Sequence, residues 1–296
     1  MKNPLFTGSA VAIATPFQNG AINYARLDAL IDFQLENGTD AIVICGTTGE
    51  TSTMTQQEHV SCIEHAIRYV NHRVPVIAGT GSNNTQHAVD VSKAAAAAGA
   101  DGLLLVTPYY NKCTQAGVIK HFNTIVEQAG IPAIVYNVPS RTGFSMTVST
   151  YVELSKNPLI NGVKEACGNL SQVARTLAAC GDAFNVWSGN DDQIAPMCAL
   201  GGKGIISVMA NIIPKETAEL AHACLAGDYA KAGPMQCRLM ELIDALFIEV
   251  NPIPVKTALN LMGMEAGELR LPLCEMDPKN LEVLKTAMRN FGLSIR

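Results

Sequence analysis

Eight times along this chain a short apolar run rich in β-branched residues is followed by a turn of glycine, threonine, asparagine or proline and then by a segment with helical spacing. The runs are Ala10–Ala14, Ala41–Cys45, Pro75–Ala78, Gly102–Val106, Ala133–Tyr136, Gly162–Lys164, Asn185–Trp187 and Gly204–Val208. They recur at a period of roughly thirty residues, the length of one strand–helix unit. Few architectures accept this pattern, because a helical crossover returns the chain to the same end of the sheet and makes the strands parallel. Eight units in roughly two hundred residues fit a closed (β/α)8 barrel. An open doubly wound sheet fits less well: no G-x-G-x-x-G follows the first run, and no acidic residue is placed to hold a ribose.

The segments between the runs agree. Tyr24–Asn37, Thr55–Val70, Thr85–Ala98, Gln115–Ala129, Val148–Lys156, Leu170–Cys180 and Asp191–Leu200 have helix-compatible composition. Gly38 and Gly99 stand just past two of them, where a left-handed residue closes a helix at no steric cost. After Ile213–Pro214 the strand signal stops, and helices are expected at about 216–226, 229–249, 254–262 and 278–291. The first completes the barrel. The other three form a small C-terminal helical domain, which divides the chain into 1–227 and 228–296.

With 48% hydrophobic and 16% charged residues, 296 residues suffice for one sizeable core. A net charge of −5, no Lys/Arg cluster and few aromatics argue against a nucleic-acid surface and for a small-molecule partner. Nine scattered cysteines without a C-x-x-C pair or a zinc spacing read as reduced thiols, with no metal site implied. The opening M-K-N-P-L-F-T-G lacks the apolar run of a signal peptide, and no stretch approaches eighteen apolar residues. The expectation is a cytoplasmic protein that does not enter a membrane.

In a barrel of this kind the carboxyl ends of the strands form the active-site rim. Lys164, in N-G-V-K-E-A, is the only lysine inside an apolar run. An amine in apolar surroundings is hard to protonate, so its pKa falls and it becomes a nucleophile able to form a Schiff base with a carbonyl substrate. Tyr136 closes the preceding strand, where a phenol can relay protons during imine formation. Arg141 follows in a turn that Pro139 and Gly143 make tight, and a guanidinium there can clamp a carboxylate. The G-T-T-G-E run at 46–50 offers backbone N–H groups and two hydroxyls, enough to hold a carboxylate, while the lysine of a phosphate-binding loop is missing. Glu165 alternates to the opposite side of its strand from Lys164, which points to a structural role.

Together, G-T-T-G-E at 46–50, T-P-Y-Y-N at 107–111, Y-N-V-P-S-R-T-G at 136–143 and G-V-K-E-A at 162–166 resemble the signatures of the dihydrodipicolinate synthase family, in the same order and over essentially the whole chain. The resemblance implies a class I aldolase-type condensation of pyruvate with L-aspartate 4-semialdehyde on the way to diaminopimelate and lysine. It implies that Lys164 forms the pyruvate imine and that Tyr136, Thr48 and Tyr110 make the proton relay, Tyr110 being lent across a dimer interface. Thr47 and Thr48 then meet the pyruvate carboxylate, Arg141 helps receive the semialdehyde carboxylate, and Gly189 and Ile206 line the pyruvate pocket. No metal and no diffusible cofactor is required, since the protonated imine is itself the electron sink. A homotetramer built as a dimer of dimers is the implied assembly.

Within the superfamily the nearest rival is N-acetylneuraminate lyase, which typically has G-S-T-G-E and lacks the arginine of S-R-T-G; here the second threonine and Arg141 are both present. A catalytically silent regulator on the same scaffold is the alternative of a different class, against which Lys164 and Tyr136 weigh together. Relatives inhibited by lysine bind it at an interface pocket whose matching positions are Ser52, Gln56, His59, Asn83, His87 and Tyr109. Sensitive relatives often have a histidine and a glutamate where this chain has Gln56 and His87, so lysine inhibition is expected to be weak or absent.

Overall fold

The computed structural model describes residues 2–296. Eight parallel strands close into a barrel: β1 (Gly8–Ala12), β2 (Ala41–Ile44), β3 (Val76–Gly79), β4 (Gly102–Val106), β5 (Ala133–Asn137), β6 (Ile160–Glu165), β7 (Asn185–Ser188) and β8 (Gly204–Ser207), with β8 pairing back onto β1. Apart from the last residue of β4 every residue of these eight strands is buried. That is why the strands read as continuous apolar runs instead of alternating ones: helices cover the outer face and side chains fill the inner one.

Helices α1 (Tyr24–Glu36), α2 (Gln56–Val70), α3 (Thr85–Ala98), α4 (Gln115–Ala129), α5 (Val148–Ser155), α6 (Leu170–Cys180), α7 (Ile194–Ala199) and α8 (Pro214–Leu225) each follow one strand. Their starts have chemical causes. Thr55 and Glu58 form a reciprocal capping box on α2, and Asn84 and Thr114 accept from the first turns of α3 and α4. Helix α7 is shorter than the expected 191–200, because Asp191–Gln193 wind as a 3-10 turn. There the Asp191 carboxylate accepts the N–H groups of Val208 and Met209 beyond β8 (3.1 and 2.9 Å).

The barrel interior is a packed plug of Phe6, Ala10, Ala41, Val43, Ile77, Leu104, Ile134, Trp187 and Ile206 with their neighbours. Alanines on β1 and β2 offset the bulk of Trp187, whose ring stacks on Phe6 at 5.3 Å and whose indole N–H donates to the Phe6 carbonyl. Strand β6 begins two residues before its expected start. Asn161, a poor strand former, is accommodated there because its amide bonds the N-terminal arm at Leu5 N–H and Asn3 C=O. The same arm is pinned by Lys2, whose ammonium donates to the carbonyls of Ser155, Asn157 and Ile160 (2.7, 2.7 and 2.8 Å). Gly162 admits no side chain: a Cβ there would stand 2.0 Å from the Asn185 carbonyl oxygen on β7.

Beyond the barrel lie α9 (Tyr229–Leu246), α10 (Ile253–Leu261) and α11 (Pro278–Phe291). Gln236 of α9 ties them to the barrel by accepting from Ala195 N–H and donating to the Asp191 carbonyl. Among the described residues no helix is long and apolar enough to cross a membrane.

Candidate active site

Strand alternation settles which way Lys164 points. Val163 belongs to the outer core, and Glu165 faces outward to accept the Tyr151 hydroxyl of α5 (2.5 Å) and the Asn137 amide (2.8 Å). Lys164 between them therefore turns into the barrel, beside Tyr136 on β5 and Trp187 on β7 in register. It is 5% exposed, and its Nζ stands 4.3 Å from the centre of the Tyr136 ring.

Burial brings the Lys164 pKa down to about 8; the Asp191 carboxylate opposes the fall and the Arg141 guanidinium adds to it. At neutral pH roughly one amine in ten is then free, a few-hundredfold more than for an ordinary lysine. Burial pushes the Tyr136 phenol up to about 12, so it stays protonated and able to donate. Asp191 itself is raised, again chiefly by burial.

A cleft of about 170 Å³ opens above the pair and is lined by Thr47, Thr48, Arg141, Gly189, Asn190 and Asn251 among others. The threonines sit on a 3-10 turn, Thr47–Gly49, bracketed by two left-handed non-glycine residues, Cys45 (φ +56°) and Glu50 (φ +55°). Such conformations are disfavoured for residues with a Cβ and persist where the surroundings impose them. Here the Glu50 carboxylate is fully buried, paired with Lys256 Nζ of α10 at 2.6 Å, and accepts the Arg270 backbone N–H at 3.0 Å. Thr48 is buried and its Oγ1 accepts from the Asn251 amide at 3.0 Å. Thr47 is exposed and borders both this cleft and the neighbouring one.

Arg141 lies in a single helical turn, Pro139–Thr142, started by proline and ended by Gly143 at φ +64°. Its guanidinium donates to the Asn251 main-chain carbonyl at 3.2 Å. Gly189 leaves the lysine stem its room, since a Cβ there would stand 3.1 Å from Lys164 Cε. Ile206 belongs to the barrel plug below and does not line the cleft.

A second cavity, about 260 Å³, adjoins the first at Gly46, Thr47, Leu104 and Tyr136. Ser52, Gln56, His59, His87 and Tyr109 line it, and Asn83 stands behind, donating to the Tyr109 carbonyl at 3.2 Å. His59 gives its Nε2–H to the Gly79 carbonyl, and burial holds its pKa down, so it is neutral. Among the described residues no aspartate or glutamate lines this cavity. Tyr110 enters neither cavity: it is 92% exposed, in a left-handed conformation at φ +66°.

Sequence reading missed Asn251, Glu50, Lys256 and Asp191. Asn251–Pro252 has the sequence signature of a helix break, Asp191 that of a helix start, and the Glu50–Lys256 pair spans 206 positions.

The model of the dihydrodipicolinate synthetase family matches residues 5–290. The chain is 55% identical over 291 residues to a 4-hydroxy-tetrahydrodipicolinate synthase of Thermoanaerobacter sp. (strain X514), covering 98% of each. Among solved structures it resembles the dihydrodipicolinate synthase of Aquifex aeolicus (TM-score 0.96, 45% identity, 98% of this chain and 100% of that one). It also resembles the enzyme of Cyanidioschyzon merolae with lysine bound (TM-score 0.95, 38% identity, 98% and 100%). The barrel, the buried lysine and these full-length matches agree, and the chain belongs to the dihydrodipicolinate synthetase family.

Proposed function

We propose that the chain is a 4-hydroxy-tetrahydrodipicolinate synthase, a lyase that condenses pyruvate with L-aspartate 4-semialdehyde through a Schiff base on Lys164, with the barrel as catalytic unit and residues 228–296 as its helical tail. The observation that carries the reading is the burial of Lys164 against Tyr136 in a cleft that also holds two threonine hydroxyls and a guanidinium. Neutral Nζ attacks the pyruvate carbonyl carbon to give a carbinolamine, and a proton delivered to its hydroxyl lets that group leave as water, which leaves an iminium. The iminium draws electrons from the methyl carbon, which gives up a proton to form the enamine. That carbon then attacks the semialdehyde carbonyl, whose oxygen takes a proton, and the substrate's own amine displaces Lys164 as the ring closes.

Tyr136, protonated at neutral pH and beside Lys164, hands protons to and from these oxygens in this reading. Thr48, held by Asn251, suits the pyruvate carboxylate. Thr47, bordering both cavities on the side of Tyr136 and Tyr109, is the better relay hydroxyl of the two, a change from the assignment drawn from resemblance. Arg141 at the cleft wall suits the semialdehyde carboxylate by a charge-assisted pair. Exposed Tyr110 serves the relay of a second copy, which calls for a dimer, and the pairing of two such dimers into a homotetramer is carried by the family resemblance alone.

Borohydride reduction with pyruvate, followed by intact-mass measurement, tests the chemistry. A pyruvyl adduct is expected on the native chain and not on Lys164→Ala, with turnover of aspartate semialdehyde and not of N-acetylneuraminate. The absence of an adduct on the native chain returns the silent-scaffold reading; turnover of the sugar acid alone returns the lyase.

The second cavity is the proposed effector site. It lacks a carboxylate for the lysine side-chain ammonium, and the loss of one charge-assisted hydrogen bond costs about 1.5–3 kcal/mol, about one to two decades in affinity. L-lysine is expected to inhibit weakly or not at all, and half-inhibition below millimolar concentration in a coupled assay contradicts this.

A further inference from the structure

The C-terminal helices reach the catalytic cleft at Asn251, in the connection between α9 and α10. This residue is 5% exposed and makes two contacts of different kinds. Its side-chain amide donates to Thr48 Oγ1 at 3.0 Å, and its main-chain carbonyl accepts from Arg141 at 3.2 Å. A threonine hydroxyl has one proton to give and two lone pairs to receive with. With one lone pair occupied by the asparagine N–H, the Thr48 proton has to be given elsewhere. Among the described residues it goes to no protein acceptor, so it remains for a ligand in the cleft. The turn that carries Thr48 is gripped by the same part of the chain a second time, through the buried Glu50 carboxylate, Lys256 Nζ at 2.6 Å and the Arg270 N–H at 3.0 Å.

We propose that Asn251 is a positioning residue for keto-acid binding. Its amide turns the Thr48 proton toward the substrate carboxylate, and its carbonyl holds Arg141 at a set separation from that hydroxyl. One residue of the tail thereby sets the spacing between the groups assigned to the two substrates' carboxylates. The inference rests on the reading of Lys164 as the Schiff-base lysine and of Thr48 as a carboxylate ligand.

The test is a double-mutant cycle of Asn251→Ala and Thr48→Val. For each protein the dependence of borohydride-trapped adduct on pyruvate concentration, the KM for both substrates and the thermal midpoint are measured. Asn251→Ala is expected to raise the half-saturating pyruvate concentration about tenfold, the worth of about 1.4 kcal/mol. The semialdehyde KM is expected to change less than threefold, because the bond to Arg141 comes from the main chain. The double variant is expected to be no worse than Thr48→Val, since a residue that acts through Thr48 has nothing left to act on.

Additive effects in the double variant overturn the proposal. So does an unchanged pyruvate dependence, or a rise of both KM values in step with a lowered thermal midpoint. If the alanine variant does not fold, Asn251→Ser, polar but too short to reach Thr48, takes its place in the same cycle with the same outcomes. No adduct on the wild-type chain removes the Schiff-base reading and this inference with it; an adduct with normal pyruvate dependence in the Asn251 variants removes this inference alone.

Discussion

Lys164 shows how one side chain's chemistry is set by its depth. Its folded pKa, about 8, lies below the ordinary value because water is excluded, while Asp191 and Arg141 pull in opposite directions. The rate constant kcat/KM for pyruvate is expected to rise about tenfold per pH unit up to roughly pH 8 and then level, since only the neutral amine attacks. Tyr136, at about 12, adds no descending limb below that. In Asp191→Asn the bend is expected at lower pH, because the carboxylate that favours the ammonium is gone; a bend that stays in place refutes this electrostatic role. The stability consequence has a definite sign. Between pH 8 and the unfolded lysine's pKa of about 10.4, the unfolded chain binds more protons than the folded one. Lys164 therefore contributes a stability that rises with pH across that window. Its burial is most costly below pH 8.

At the scale of elements, the site depends on what holds the Thr47–Gly49 turn between two left-handed residues. The Glu50–Lys256 pair joins that turn to α10, with Phe17 beneath the lysine (4.8 Å) and beneath the Arg270 guanidinium (4.0 Å). An ion pair in such burial gains little over a well-packed apolar pair, but losing one partner strands a charge. Lys256→Met is expected to destabilise by about 3–5 kcal/mol, and the double variant Glu50→Gln with Lys256→Met to recover a large part of that. Denaturation midpoints decide the matter: a single variant as stable as wild type, or a double variant no better than the single, contradicts it.

At the scale of the whole molecule, Tyr110 stands outside both cavities of its own chain. If it completes a neighbour's relay, a Tyr110→Phe subunit keeps its lysine and borrows a tyrosine from a Lys164→Ala subunit. Each variant alone is expected to be nearly inactive. Their unfolded and refolded equimolar mixture is expected to regain about a quarter of wild-type turnover, as random pairing makes half the dimers mixed, with one complete site of two. A mixture no more active than its components places Tyr110 outside the relay.

Period and composition alone determined much of this protein. Strand–helix repeats of one length require a parallel sheet, and the expected strands fall on those observed to within a few residues because burial on both faces leaves a run of apolar residues that local reading detects. Lys164 and Tyr136 were legible for the same reason, as polar groups inside such runs. Arg141 and the threonines were legible as rim residues between punctuating glycines and prolines. What pairs with what was decided only in three dimensions. Asn251 meets Thr48 across 203 positions and Lys256 meets Glu50 across 206, and neither has a local pattern, since contacts between distant segments leave no periodicity behind. The depression of the lysine's pKa is likewise a property of the closed barrel: the water that would solvate an ammonium is excluded only when all eight strands have come together.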